Sequence, residues 1–338
     1  MTAHESATAR VNEDLPLLPP PARAPSKSSA SDGAGSGTSG RPHALLGIAC
    51  VAISAVCFSF MSTFLKYATF SMTSMEVILW RSIFALVLNY VAMKFQGISA
   101  YVVPEDRMML LYRCIAGFSS ISFAFYAVSQ MVLADASVLI FTSPVITFFF
   151  GFLFLGEHID PPSFACALVS FVGLVCVVRP GFLFGYDHET AEMDGSWLAI
   201  GSAFLGAVGQ AFVFITVRQL RAINMHVVVH YFMLFSFVSS AMWVAIVQQH
   251  FVVPGTTMLW LALVGSGAFT FMGQLFLTKG FQIEKAGIAS VMRYLDVVCV
   301  FIWDDVLLGE QINRWSVVGA AIICSCASII ALRKAKVL

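Results

Sequence analysis

The sequence predicts an all-α membrane protein whose ten transmembrane helices form two inverted five-helix repeats. Three observations carry this reading. Hydrophobic residues make up 59% of the 338 residues and charged residues only 11%, with 31 Phe, far outside the composition of a soluble domain. Ten apolar runs follow one another after His43, each long enough to cross roughly 30 Å of hydrocarbon as a helix. The second five runs echo the first five at a nearly constant offset. The runs are continuously apolar rather than alternating, which excludes barrel strands.

Residues 1–42 come first. They hold six of the twelve prolines, seven serines, four glycines and no aromatic residue, so they cannot bury enough surface to offset the entropy of ordering. A disordered cytoplasmic tail is expected. It has no apolar stretch before a small-residue cleavage site, so the first span is expected to serve as the membrane signal. Glu13, Leu17 and Leu18 form an E-x-x-x-L-L pattern, similar to the acidic dileucine signals read by endosomal and lysosomal sorting adaptors, although such a match also arises by chance. The spans are read at 44–65, 74–96, 107–129, 133–155, 161–179, 195–218, 226–247, 258–280, 285–308 and 314–333. They group into a first repeat over 43–180 and a second over 195–335.

Nineteen Lys+Arg balance nineteen Asp+Glu, which leaves no basic field for nucleic acid. With a cytoplasmic amino terminus, thirteen Lys and Arg from loops, tail and helix ends fall on that face and only Lys66, Arg179 and Arg314 on the other. The positive-inside rule therefore puts both termini in the cytoplasm and leaves plasma membrane or endomembrane open. The outer acids Asp187, Glu189, Glu192 and Asp194 read as solvation. All eight cysteines lie in apolar segments with no C-x-x-C pair, so neither a disulfide framework nor a zinc site is expected. His226 and His230 have an H-x-x-x-H spacing, but the companion histidine boxes of a di-iron site are missing. Without a P-loop or an H-E-x-x-H motif, ATP-driven pumping and zincin chemistry lack their residues. No metal, cofactor or enzyme activity is expected.

At an offset of 153, Ala136-Ser137-Val138 aligns with Ala289-Ser290-Val291, and Leu155-Gly156-Glu157 with Leu308-Gly309-Glu310. Spans four and nine are therefore equivalent. Lys66 matches Arg218 at 152, and Met75 matches Met225 at 150. Because five is odd, the second copy enters the membrane from the opposite side, as in inverted-repeat transporters. Two such halves are expected to enclose a midplane cavity and to expose it to one side at a time.

A charge deep in the bilayer is retained where it lines a cavity or has a partner. Counting about 1.5 Å per residue, Asp296 lies roughly 16 Å from the cytoplasmic end of its span, Arg293 roughly 12 Å, and Arg81 roughly 10 Å from the outer end of span two. Arg293 and Asp296 share a helical face. They form either an internal pair that fixes packing or a site where an anion competes for Arg293, or where Asp296 carries a coupled proton. Arg81 has no opposite charge on its own face. Arg113, Asp135, Asp304 and Asp305 are placed nearer an interface. Tyr126 and Lys279 occupy equivalent positions at offset 153; Lys279 could draw an anion to the cytoplasmic mouth or serve as an anchor. Tyr294 could offer a hydroxyl to substrate or simply pack. Pro144 removes a backbone hydrogen bond in span four, where a kink could serve gating. Gly201, Ser202, Gly206 and Gly209 read as helix-packing positions in span six.

This chain resembles the EamA-type drug/metabolite transporters, and more closely the G group of solute carrier family 35. The resemblance rests on Leu133-Ala134-Asp135-Ala136-Ser137-Val138, on Thr142-Ser143-Pro144-Val145 and on Val178-Arg179-Pro180-Gly181-Phe182-Leu183-Phe184-Gly185. In the second half it rests on Gly273-Gln274, Thr278-Lys279, Gln282-Ile283-Glu284-Lys285-Ala286-Gly287 and Asp296-Val297-Val298. It covers roughly residues 43–335, and Asp304-Asp305 departs from it. What it implies is a secondary carrier of organic metabolites, often anionic, and it does not fix the substrate; the partners expected are a small-molecule substrate, membrane lipid, and a proton or counter-substrate if transport is coupled. A different class remains open: a membrane regulatory protein that acts through a partner protein and uses the carrier fold as scaffold.

Overall fold

A backbone in hydrocarbon must satisfy its own polar groups, and in the computed structural model nearly every stretch among the described residues does so as helix. The structure describes residues 41–131, 133–180, 183, 197–308 and 314–336. Glu13, Leu17 and Leu18, the acids of 187–194 and Glu310 lie outside them, and the side chains of Asp304 and Asp305 are likewise outside the description. The helices are α1 (Arg41–Thr69), α2 (Ser74–Phe95), α3 (Pro104–Gln130), α4 (Leu133–Ile140), α5 (Ser143–Leu155) and α6 (Pro161–Val178) in the first half. The second half has α7 (Trp197–Gln219), α8 (Met225–Trp243, continued by a π turn at Val244–Gln248), α9 (Thr257–Ile283), α10 (Ala286–Val291), α11 (Tyr294–Leu308) and α12 (Arg314–Lys336). They make ten segments long and apolar enough to cross a membrane, with α4 and α5 forming span four and α10 and α11 span nine. We call the face that holds the start of α1 and the end of α12 the terminal face, and the opposite one the distal face.

Local chemistry sets the ends. Thr73 caps α2 in a reciprocal box with Glu76, and Glu76 also accepts from the Val252 amide at 2.7 Å, tying the α1–α2 turn to the α8–α9 loop on the distal face. Asp160 caps α6 ahead of Pro161, and Asn224 caps α8. Gly156 ends α5 with φ +62°, a conformation that costs glycine little, and so turns Glu157 back toward the bundle.

The packing follows a pseudo-two-fold axis. α1 lies along α9 and α3 along α7, which are equivalent contacts in the two repeats; α2 meets α8, and α6 meets α12. Small residues allow the close crossings: a Cβ on Gly173 would come within 2.9 Å of the Gly319 carbonyl oxygen, and Ser120 on α3 donates to the Gly206 carbonyl on α7 at 2.8 Å. Gly206 and Gly209 do face α3, whereas Gly201 faces open space.

Spans four and nine are interrupted, at Phe141–Thr142 and at Met292–Arg293. In span four Pro144 lacks the amide that a continuous helix needs, so the chain breaks ahead of it. Span nine has no proline there. It tightens instead through i→i+3 bonds from Arg293 to Ser290 and from Asp296 to Arg293. The terminal-side halves, α5 and α10, pack against each other: Ser290 donates to the Pro144 carbonyl at 3.2 Å, and Gly287 leaves room for the Phe148 ring.

Candidate functional site

Between the halves lies a cavity of about 620 Å³. Arg81 and Ser82 of α2 line it, with Gln210 of α7, Ser236 of α8, Thr270 and Gln274 of α9, and Arg293 at the break of span nine. Phe58, Met61, Phe125 and Phe232 supply apolar walls. The lining reaches Lys66, Thr69 and Ser74, all at the distal face. Apolar walls with a few convergent polar groups are the usual make-up of a small-molecule site.

The terminal face is closed by polar links between the halves. Glu157, after α5, pairs with Arg218 at the end of α7 at 3.2 Å and accepts from the Ala286 amide at the start of α10 at 3.0 Å. Arg218 donates in turn to the Gln282 carbonyl at 2.7 Å, and the Gln282 amide bonds to the Leu220 and Ile223 carbonyls. Arg333 pairs with Asp160 across the halves, and Lys334 with Glu284 within the second half, both at 3.0 Å. A crevice beside Glu157, His158 and Lys285 offers only about 10 Å³, too little for a solute.

Arg81 is buried; among the described residues it makes a weak bond from Nη1 to the Met61 sulfur at 3.5 Å, and no carboxylate pairs with it. Arg293 donates from Nη2 to Asp296 Oδ2 at 2.9 Å and lies 4.8 Å from the centre of the Phe58 ring. Among the described residues its Nη1 has no hydrogen-bond partner, and neither has Asp296 Oδ1. A planar fork with spare donors in a positive cavity can hold a carboxylate or phosphate, and it exchanges partners without losing its charge.

Arg81 and Arg293 thus meet at one cavity, and Asp296 sits behind Arg293, buried but outside the lining. Tyr126 and Lys279 are exposed and do not line it, and Tyr294 is fully buried with its hydroxyl unpartnered. Pro144 lies at the junction of α5 with α10 rather than at the cavity. Gln210, Gln274, Ser236 and Thr270 line the cavity without a charge to mark them in the sequence; the available signal is an uncharged polar side chain inside an apolar run. Arg113 differs from the sequence expectation of an interfacial residue. It is 1% exposed, because Phe232 and Gln274 from the other half close over it.

Residues 45–179 and 197–332 each match the EamA-like transporter family. The chain is 29% identical over 299 residues to solute carrier family 35 member G1 of Homo sapiens, covering 86% of this chain and 80% of that one. It is 30% identical over 291 residues to the pseudopaline exporter of Pseudomonas aeruginosa, covering 86% and 96%. A crystal structure 16% identical in sequence superposes with a TM-score of 0.75, over 88% of this chain and 99% of that one, which speaks for the fold alone.

Proposed function

Because the chain belongs to the EamA-like transporter family and is a membrane transporter, we propose that it is a secondary active carrier that moves small anionic organic metabolites by alternating access. The observation that carries this is the unpaired Arg81 in a cavity that reaches one face while polar links close the other. A desolvated guanidinium without a carboxylate is an anion site awaiting its ligand. The anion enters from the distal face and engages Arg81 and the spare donors of Arg293. It competes there with Asp296, whose release from Arg293 gives the carrier a group to take up a coupled proton. Closure on the distal side and opening of the α5–α10 contact then deliver the solute to the other face, as two inverted halves rocking about one site would do. We place the terminal face in the cytoplasm, on the thirteen-to-three distribution of Lys and Arg.

Counterflow into proteoliposomes tests this reading, with purified full chain and a panel of di- and tricarboxylates, sugar phosphates, nucleotide sugars, amino acids and cationic drugs. Saturable, trans-stimulated uptake of an anion that Arg81→Ala reduces by about a hundredfold is expected. Folded protein that exchanges only neutral or cationic solutes, or none, overturns it.

A further inference from the structure

Arg113 lies one layer of side chains behind the cavity, and no carboxylate pairs with it among the described residues. Its guanidinium sits 4.2 Å from the centre of the Phe232 ring and donates from Nη2 to Gln274 Oε1 at 3.2 Å, while Nε and Nη1 have no hydrogen-bond partner among the described residues. The pocket for it is built: a Cβ at Gly117 would come within 2.5 Å of Nη1 and 2.7 Å of Phe232. A bare cation this deep is costly and is kept where it serves a partner or a pathway.

Arginine has donors only. Gln274 must therefore turn its oxygen to Arg113, which leaves the amide NH2 for the cavity that Gln274 lines. The cavity gains two N–H donors backed by a positive charge. Setting aside charges in the first and last turns of the spans, the described side chains deep in the bundle are Arg81, Arg113 and Arg293 against Asp296, which Arg293 already holds. Two positive charges stay uncompensated, one at Arg81 and one behind Gln274.

We propose that Gln274, oriented by Arg113, is a second anion-holding position of the cavity, so that the solute is a diacid with one acidic group on Arg81 and the other on the Gln274 amide. This rests on the anion-carrier reading above. Arg113 acts here as a positioning residue, and Gln274 is the contact.

The test is thermal protection of the purified full chain by matched probes: malonate with malonamate, succinate with succinamate, glutarate with glutaramate. At least one diacid is expected to protect at about tenfold lower concentration than its half-amide. Gln274→Glu keeps the side-chain size and hands Arg113 a carboxylate. It is expected to raise the melting temperature and abolish the diacid preference while half-amide binding persists, a selectivity readout that a packing role would not move. Arg113→Gln serves as the second variant, with the same loss of preference. Half-amides that bind the wild type as tightly as diacids, or a Gln274→Glu chain that keeps the preference, overturn the proposal. If monoanions bind and exchange in proteoliposomes as well as diacids, the carrier reading stands and this inference alone falls; if no anion binds or exchanges, both fall.

Discussion

Span four breaks at Phe141–Thr142 and span nine at Met292–Arg293, within two residues of repeat-equivalent positions, and yet the two breaks offer the cavity different chemistry. At an offset of 153, Ile140 of the first corresponds to Arg293 of the second, and both line the cavity. Ile121 corresponds to Gln274 in the same way, and Phe58 to Gln210 at an offset of 152. In each pair one member is apolar and the other polar. The lining is paired by architecture and unpaired by chemistry. Equivalent backbones give the two faces equivalent packing, whereas in each of these three pairs the polar member comes from the second half; Arg81 and Ser82 add polar groups from the first.

The largest expected effect comes from erasing that asymmetry at the break. Arg293→Ala removes a cavity donor and leaves Asp296 buried without its partner, so we expect a loss of roughly 3–5 kcal/mol in stability and loss of counterflow. Replacing both members, Arg293→Leu with Asp296→Leu, removes the stranded charge and should recover the melting temperature but not transport. Recovery of both would assign the pair to packing alone and return the burden of anion binding to Arg81.

Closure of the terminal face is the next point to break. Glu157 anchors the end of span four to α7 and α10 at once. Glu157→Gln keeps the size and weakens both bonds, which should shift the balance toward the terminal-open state by about 1–3 kcal/mol. A cysteine introduced at Ser290 should then label several times faster with a membrane-impermeant thiol reagent applied from the terminal face; unchanged labelling would mean that the Phe148–Gly287 contact, not Glu157, holds this face. Gly319→Ala is expected to cost about 1–3 kcal/mol by pushing α12 away from Gly173, with solute selectivity unaltered. A changed selectivity would extend the site to the α6–α12 pair, which lies away from the cavity lining.

Much of this arrangement is legible in the residues themselves. Continuous apolar runs define the spans, the A-S-V and L-G-E echoes define the repeat, and depth along the span singles out Arg81 and Arg293. The break in span four is announced by Pro144; that in span nine has no local marker and comes from packing against α5. The burial of Arg113 is not legible in the sequence, because counting from a helix end says nothing of Phe232 and Gln274, which reach it from more than a hundred residues away. Asp296 shares a face with Arg293, as the i,i+3 spacing requires, but only the three-dimensional arrangement turns the arginine toward the cavity and the carboxylate away from it.

The smallest effect concerns a position where one substitution makes the repeats alike. Asp160 corresponds to Asn313 at the offset of 153, so Asp160→Asn gives the first repeat the amide that the second already carries. Asp160 caps α6 and pairs with Arg333, whose side chain is 40% exposed. The Ser163 hydroxyl, against the opposing effect of burial and with help from Arg333, holds its carboxyl below the ordinary 3.8. A depressed folded value means that the contribution is present above the unfolded value and is lost as pH falls through the folded one. Asparagine caps a helix about as well as aspartate, so only the charge is removed, and an exposed pair of this kind contributes less than about 1 kcal/mol. The variant should melt slightly lower than the wild type at pH 7, the gap should narrow below pH 4, and high salt should shrink it at neutral pH. A gap that persists when the carboxyl is protonated would assign the role of Asp160 to its cap geometry instead of its pairing with α12.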